Sequence, residues 1–270
     1  MDLIKTKDEL VSKVMKKKEL SGLDKALVKD IVEEKLKKLK LKIPETKKSE
    51  QKELVKEIRA ELRKYAGRFQ KSLKKRKQFL QEGKITQLLK SHSSTAERLE
   101  FYPKIRELIK NLNISSIIDI GCGINPIAIA NKDITYYASD INRGELSLVN
   151  EYFKSKKIKG ETFVFDLRKI KTKKLPIQKA DLCIIFKVLD IVGKGMHNLA
   201  ESIIDSLDCK YYLISFSTKT LSGKPMNRPK RLWMEDLLKN RGLKFNVFET
   251  KNEIFYLAYP KNNLAPVDIK

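Results

Sequence analysis

The stretch SIIDIGCGINPIA, residues 116–128, decides how the whole chain is read. Residues 115–120 form a short apolar run of the kind that becomes a buried strand, and Gly121-Cys122-Gly123 ends it. In a doubly wound sheet the first strand carries its ligand just beyond its carboxyl end. Gly121 and Gly123 allow a tight turn there and a close approach of backbone to ligand. A dinucleotide fold would place a third glycine where Pro126 stands. Asp119, before the first glycine, would repel a pyrophosphate and suits a cationic ligand.

Downstream, short apolar runs at 134–139, 162–165, 181–186, 211–216, 244–248 and 253–259 alternate with amphipathic stretches, the pattern of an α/β sheet with helices on both faces. Only Glu249-Thr250-Lys251-Asn252 separates the last two runs, too little for a crossover, so they form an antiparallel hairpin and the seven-stranded sheet is mixed. Upstream, residues 1–90 carry helical spacing: Leu23, Leu27, Ile31 and Val32, then Leu54, Ile58, Leu62, Tyr65 and Phe69. Pro44 divides this region into helical blocks at about 22–40 and 47–81. The expected architecture is a small all-helical domain, 1–90, before a Rossmann-like α/β domain, 91–270.

The 270 residues hold 58 Lys and Arg against 34 Asp and Glu, a formal charge of +24, and such a field draws in polyanions, nucleic acid first. Between Leu62 and Gln81 lie Arg63, Lys64, Arg68, Lys71, Lys74, Lys75, Arg76 and Lys77 with no acid among them, a ridge that would track phosphates and lose affinity with salt. Tyr65, Phe69 and Phe79 read as the apolar stripe of the same block. Cys122, Cys183 and Cys209 are too scattered for a disulfide framework, and with only His92 and His197 beside them no metal is expected. The start, Met1-Asp2-Leu3-Ile4-Lys5, is no signal peptide, and no apolar run approaches the ~18 residues of a membrane span. A cytoplasmic monomer is the expectation.

Acids recur at the strand ends. Asp140 ends the second strand roughly twenty residues beyond the glycines, where a carboxylate accepts ribose hydroxyls. Asp166 ends the third strand, and Lys187-Val188-Leu189-Asp190 follows the fourth. That fourth strand lacks the N-P-P-Y sequence of exocyclic-amine chemistry and the Pro-Cys nucleophile of cytosine C5 chemistry; Cys183, in mid-strand, reads as a small hydrophobe. If these strand ends serve group transfer to nucleic acid, what is left as acceptor is a purine ring nitrogen that is already nucleophilic, or a ribose hydroxyl that needs a base, with catalysis mostly by proximity. Before the glycines, His92-Ser93-Ser94-Thr95-Ala96-Glu97-Arg98-Leu99 reads as a capping box, Ser94 capping and Glu97 three residues on. It opens a helix faced by Leu99, Tyr102, Ile105, Leu108 and Ile109.

The D-I-G-C-G at 119–123 looks like the first motif of the class I methyltransferases, whose cofactor, S-adenosylmethionine, carries a sulfonium and an ammonium group. With S-T-x-E-R-L at 94–99, Ser139-Asp140, I-F-K-x-L at 185–189, S-F-x-T-K-[ST]-L at 215–221 and Tyr65-Ala66-Gly67-Arg68-Phe69, the chain resembles the aminoglycoside-resistance 16S rRNA (guanine-N7) methyltransferases and their archaeal relatives. The resemblance implies Arg98 on the methionine carboxylate; Asp119, Gly121, Cys122 and Gly123 around the amino-acid end; Asp140 on ribose; Asp166 and Leu167 near adenine; and Tyr65 closing over the methionine end. Phe186, Lys187 and Leu189 would border the target guanine, with Ser217, Thr218 and Lys219 opposite and Lys224 and Arg228 among the RNA contacts. The chain departs from the resistance enzymes at Ser217, where they usually show proline, and in the run 224–231. The implied partner is the small ribosomal subunit, at guanine N7 near the decoding site. The alternatives are another RNA or atom, such as tRNA or a ribose 2′-O served by Lys187 and Asp190, and a non-catalytic assembly protein that keeps the fold.

Overall fold

The computed structural model describes residues 4–43, 46–66, 72–192, 195–220, 223–227 and 229–263. Its first helix, α1 (Lys7–Met15), starts where the Thr6 hydroxyl accepts from the Glu9 amide, and α2 (Lys25–Lys38) where Asp24 accepts from the Ala26 amide. Helix α2 buries Leu27, Val28, Ile31, Val32 and Leu36, one face at helical spacing. These meet Leu10, Val11 and Val14 of α1 and Leu54, Val55, Ile58 and Leu62 of α3 (Lys48–Ala66) in a separate helical core.

The block expected at 47–81 is not one helix. It ends at Ala66 and restarts at α4 (Leu73–Gln81), where the Ser72 hydroxyl caps the Lys75 amide. Pro44, Arg68, Phe69 and Lys71 lie outside the described residues. Phe79 of α4 and Leu88 and Leu89 of α5 (Ile85–Leu89) are buried with the sheet, so the core changes hands between Ala66 and Ser72 rather than at residue 90.

Helices α6 (Ser93–Glu97) and α7 (Tyr102–Asn111) lead into the sheet, whose order is β3-β2-β1-β4-β5-β7-β6. The strands are β1 (Ser116–Ile120), β2 (Thr135–Asp140), β3 (Gly160–Val164), β4 (Lys179–Phe186), β5 (Asp208–Ser217), β6 (Leu243–Glu249) and β7 (Glu253–Pro260). The first five run parallel, and β7 is antiparallel to both β5 and β6, as the short connection required. Alternate residues feed opposite layers: Leu182, Ile184 and Phe186 pack with α5, α7, α8 (Asn125–Ile129) and α9 (Arg143–Lys156). Cys183 and Ile185 pack with α10 (Leu189–Val192), α11 (Met196–Ser206) and α12 (Leu232–Asn240).

The helical domain is clamped to the carboxyl ends of β2 and β3. The Asp24 amide donates to the Ile141 carbonyl at 3.0 Å, the Gly144 amide to the Gly22 carbonyl at 3.2 Å, and Asp24 holds Arg143 at 2.6 Å. Past β3, Lys169 meets Asp30 at 2.5 Å and Arg168 reaches Glu34 at 3.4 Å.

Folding dismantles much of the cationic ridge by bringing acids to it. Arg76 is 2% exposed, with Glu145 held in a fork at 2.5 and 2.6 Å and the Ser91 hydroxyl at 3.1 Å, so it is a structural arginine and not an RNA contact. Lys77 pairs with Glu151, Lys64 with Glu61 and Arg63 with Glu19. Lys74 and Lys75 stay exposed, with no carboxylate in salt-bridge reach among the described residues.

Breaking the buried Arg76–Glu145 pair by Arg76→Ala is expected to remove roughly 3–5 kcal/mol of stability in urea denaturation. The doubly reversed Lys74→Glu/Lys75→Glu chain should unfold within about 0.5 kcal/mol of the unmodified one.

Candidate functional site

Beyond β1 the chain turns with Gly121 at φ +63° and Gly123 at φ +51°. A Cβ on Gly121 would lie 2.4 Å from Val188 Cγ2, and one on Gly123 would lie 3.3 Å from His92 Nε2, so the turn admits glycine for both backbone angle and space. The Cys122 amide donates to the Ser139 carbonyl at 2.9 Å, and the Gly123 amide donates to Asp140 Oδ2 at 2.8 Å. The Cys122 side chain is buried and its thiol is pushed up by that burial, so only its backbone faces the turn.

Two carboxylates stand at this turn. Asp119 is fully buried: the Tyr136 hydroxyl donates to Oδ2 at 2.7 Å, while Oδ1 has no partner among the described residues. Burial raises its pKa to about 7. Asp140 accepts the Gly123 amide on one oxygen and the Asn142 amide on the other, at 2.7 Å, and burial raises it to about 6. Asp140 is not the cap of α9; Asn142 is, accepting from Gly144 and Glu145. Ser139 Oγ and His92 Nδ1 are also buried without a partner among the described residues. A buried carboxylate with one oxygen unpartnered among the described residues, beside a turn that only glycine fits, suits the ammonium of the expected cofactor.

The capping box does not form. His92, not Ser94, precedes α6, and the Thr95 hydroxyl turns back to the Leu89 carbonyl. The helix expected from 94 through 109 breaks at residues 98–101, because Pro103 belongs in the first turn of α7 and not inside a helix. The break places Arg98 between sheet and turn. Its guanidinium is 1% exposed, donates to both oxygens of Glu253 at 2.5 and 3.0 Å and to Asn125 at 2.8 Å, and lies 4.3 Å over the Phe186 ring. Glu253 also accepts from the Ser215 hydroxyl. An incoming carboxylate would have to share Arg98 with Glu253, a residue the sequence marked only as an acid opening an apolar strand.

The expected acceptor side is partly core. Phe186 packs edge-on against Phe255 beneath Arg98, and Leu189 is fully buried, so both are withdrawn from solvent. Lys187 adopts φ +58° and holds Glu97 at 2.5 Å. Asp190 accepts from the Ser217 amide and pairs with Arg231. Lys187 and Asp190 are thus each engaged elsewhere and form no shared base.

Asp166 caps the turn at 167–169 and grips Arg168 at 2.7 Å, with half-buried Leu167 beside it. Tyr65 lies 5.8 Å from that guanidinium, so it covers the β3 side of the site rather than the methionine end. Burial raises the Tyr65 hydroxyl pKa. After β5, Thr218 bonds to Asn252 and Met226, and Lys219 bridges to Pro225, forming a small hairpin that presents Lys224. Arg228 lies outside the described residues. Among the described residues no group of three His, Cys, Asp or Glu could hold a metal, and no helix is long and apolar enough to cross a membrane.

Gly121→Ala is expected to lose more stability than Gly242→Ala, which at φ +69° meets nothing within 4 Å and so carries the backbone strain alone, roughly 1–2 kcal/mol. Urea denaturation of both variants separates strain from the Val188 clash. A folded-state pKa raised above the ordinary 3.8 means that Asp140 favours the fold most at low pH, and that this share fades as pH rises from about 4 through 6. Stability measured against pH should therefore rise more, or fall less, across that window in Asp140→Asn than in the unmodified chain.

The family described as ribosomal RNA methyltransferase (FmrO) matches residues 29–257. A 16S rRNA (guanine(1405)-N(7))-methyltransferase of Serratia marcescens is 28% identical over 168 residues, 61% of this chain, and the match spans 65% of that relative's length. In fold the chain is similar to the 16S rRNA methyltransferase RmtF in complex with S-adenosyl-L-homocysteine, with TM-score 0.74 and 23% identity over 97% of this chain and all of the other. It is similar too to the 16S rRNA methylase RmtB, with TM-score 0.71 and 21% identity over 96% of this chain and all of the other. The 16S rRNA methylase ArmA, 26% identical, aligns at TM-score 0.55 over 70% of this chain and 98% of its own. With the glycine turn and its two acids at the carboxyl edge of the sheet, and a family match that runs from α2 to β7, the chain belongs to the ribosomal RNA methyltransferase (FmrO) family.

Proposed function

We propose that this chain methylates small-subunit (16S) rRNA with S-adenosylmethionine, at N7 of a guanine near the decoding site of the assembled subunit, acting as a cytoplasmic monomer. The observation that carries the reading is Asp119, a buried carboxylate with one oxygen unpaired among the described residues, at the glycine turn of a ribosomal RNA methyltransferase family member. When bound, the cofactor supplies a methyl group on a sulfonium.

The residues divide the work of positioning. Asp119 receives the ammonium, Asp140 the ribose hydroxyls, Arg98 the carboxylate, and Asp166 with Leu167 the adenine side, while Gly121 and Gly123 let the backbone come close. Guanine N7 bears an in-plane lone pair and no proton, so the acceptor needs no base, and the engagement of Lys187 with Glu97 and of Asp190 with Arg231 is no obstacle. Rate then comes from holding acceptor, methyl and sulfur in line. A guanine stacked in folded RNA must be exposed first, at the expense of phosphate contacts elsewhere. Lys74, Lys75, Lys219 and Lys224 supply those contacts, and the paired Arg63, Lys64 and Lys77 play a lesser part.

Labelled cofactor incubated with small subunits, naked rRNA and tRNA, followed by borohydride–aniline cleavage, tests the reaction. Label on subunits with a single cleavage near the decoding site is expected. Label without cleavage moves the acceptor to another atom, label on tRNA moves it to another RNA, and cofactor binding without transfer leaves an assembly protein. Binding of the cationic cofactor favours charged Asp119 and Asp140, so affinity measured calorimetrically is expected to rise with pH between about 5 and 7, with net proton release. Lys74→Glu/Lys75→Glu is expected to weaken subunit binding and flatten its salt dependence while cofactor affinity holds.

A further inference from the structure

Helices α11 and α12 both begin on the carboxyl side of the sheet, because each follows a parallel strand, β4 and β5, and runs back along it. Their second residues, His197 and Trp233, stack with ring centroids 4.2 Å apart and planes within 16°. Trp233 is anchored from behind, edge-on to buried Phe216 at 5.6 Å, so His197 is the exposed outer layer. Leu232 beside them is 66% exposed, the most open large hydrophobic among the described residues. Lys230 precedes the first residue of α12, Leu232, by two positions. Lys230 and Lys224 are exposed, with no carboxylate in salt-bridge reach among the described residues. Met226 Sδ lies 3.6 Å from Arg231, which ties the Lys224 hairpin to the start of α12.

An exposed imidazole fixed parallel on an indole offers a flat, preordered face with wet edges. Unstacked RNA bases are held on such faces, at roughly 1–3 kcal/mol per base, with little dependence on sequence. We propose that the His197–Trp233 stack is an accessory nucleobase site: an unpaired base of the RNA continues the stack on His197, Leu232 covers its edge, and Lys224 and Lys230 hold the flanking phosphates. The identity of the RNA rests on the function proposed above; the stacking surface does not.

Trp233 is the sole tryptophan, so its fluorescence reports this site directly. The full chain is titrated with a single-stranded RNA dodecamer and with an abasic oligomer of equal length. Quenching by the RNA and not by the abasic chain is expected. His197→Ala, a surface change that spares the core, is expected to raise KM for small subunits about tenfold, with cofactor affinity unchanged and recovery in His197→Phe. Equal quenching by the abasic oligomer, or an unchanged KM in His197→Ala, overturns the proposal. Lost subunit binding in His197→Ala without base-dependent quenching assigns the patch to a ribosomal protein and overturns it too. Failure of the unmodified chain to methylate any RNA refutes the parent function, and the oligonucleotide titration still decides the platform.

Discussion

The buried pair of Arg98 and Glu253 is the constraint around which the site is built. Each is 1% exposed, and two charges removed from water are tolerable only with their remaining hydrogen-bonding positions filled. Asn125 and Tyr102 answer the guanidinium, and Ser215 answers the carboxylate. The pair joins the break between α6 and α7 to the start of the last strand, and Phe186 closes the floor beneath it. The helix break, the placement of the glycine turn and the seat of β7 are therefore one arrangement.

A second constraint is that the helical domain sits on the strand ends that form the site. Asp24 grips the segment just past Asp140, and Asp30 with Glu34 grips the segment just past Asp166. Arg168 answers Asp166 from within the sheet domain and Tyr65 and Glu34 from the helical one. Any rearrangement around a ligand at β3 is coupled through that guanidinium to the helical domain.

The net charge of +24 overstates the basic surface in some places and hides it in others. Of the six ridge cations among the described residues, Glu19, Glu61, Glu145 and Glu151 pair with four, while Lys224 and Lys230, between β5 and α12, have no carboxylate in salt-bridge reach among the described residues. The exposed lysines without a carboxylate partner among the described residues therefore include two separate groups, on α4 and between β5 and α12.

What the sequence determined alone is what local chemistry governs: all seven strands, the antiparallel final hairpin forced by a four-residue connection, the glycine turn, and the acids Asp119 and Asp140. Period-2 burial and turn geometry are written into adjacent residues, so they are legible without a fold. Tertiary structure alone decided the partners of the charges. Glu253 stands 155 residues from Arg98, and Glu145 stands 69 from Arg76, so no window of sequence contains either pair. The same holds for Tyr65 over Arg168 and for His197 on Trp233, side chains on different elements that meet only in the folded chain. Pro103 was a local signal for the helix break, but why the chain breaks there, to bury an arginine against the last strand, is a fact of three dimensions.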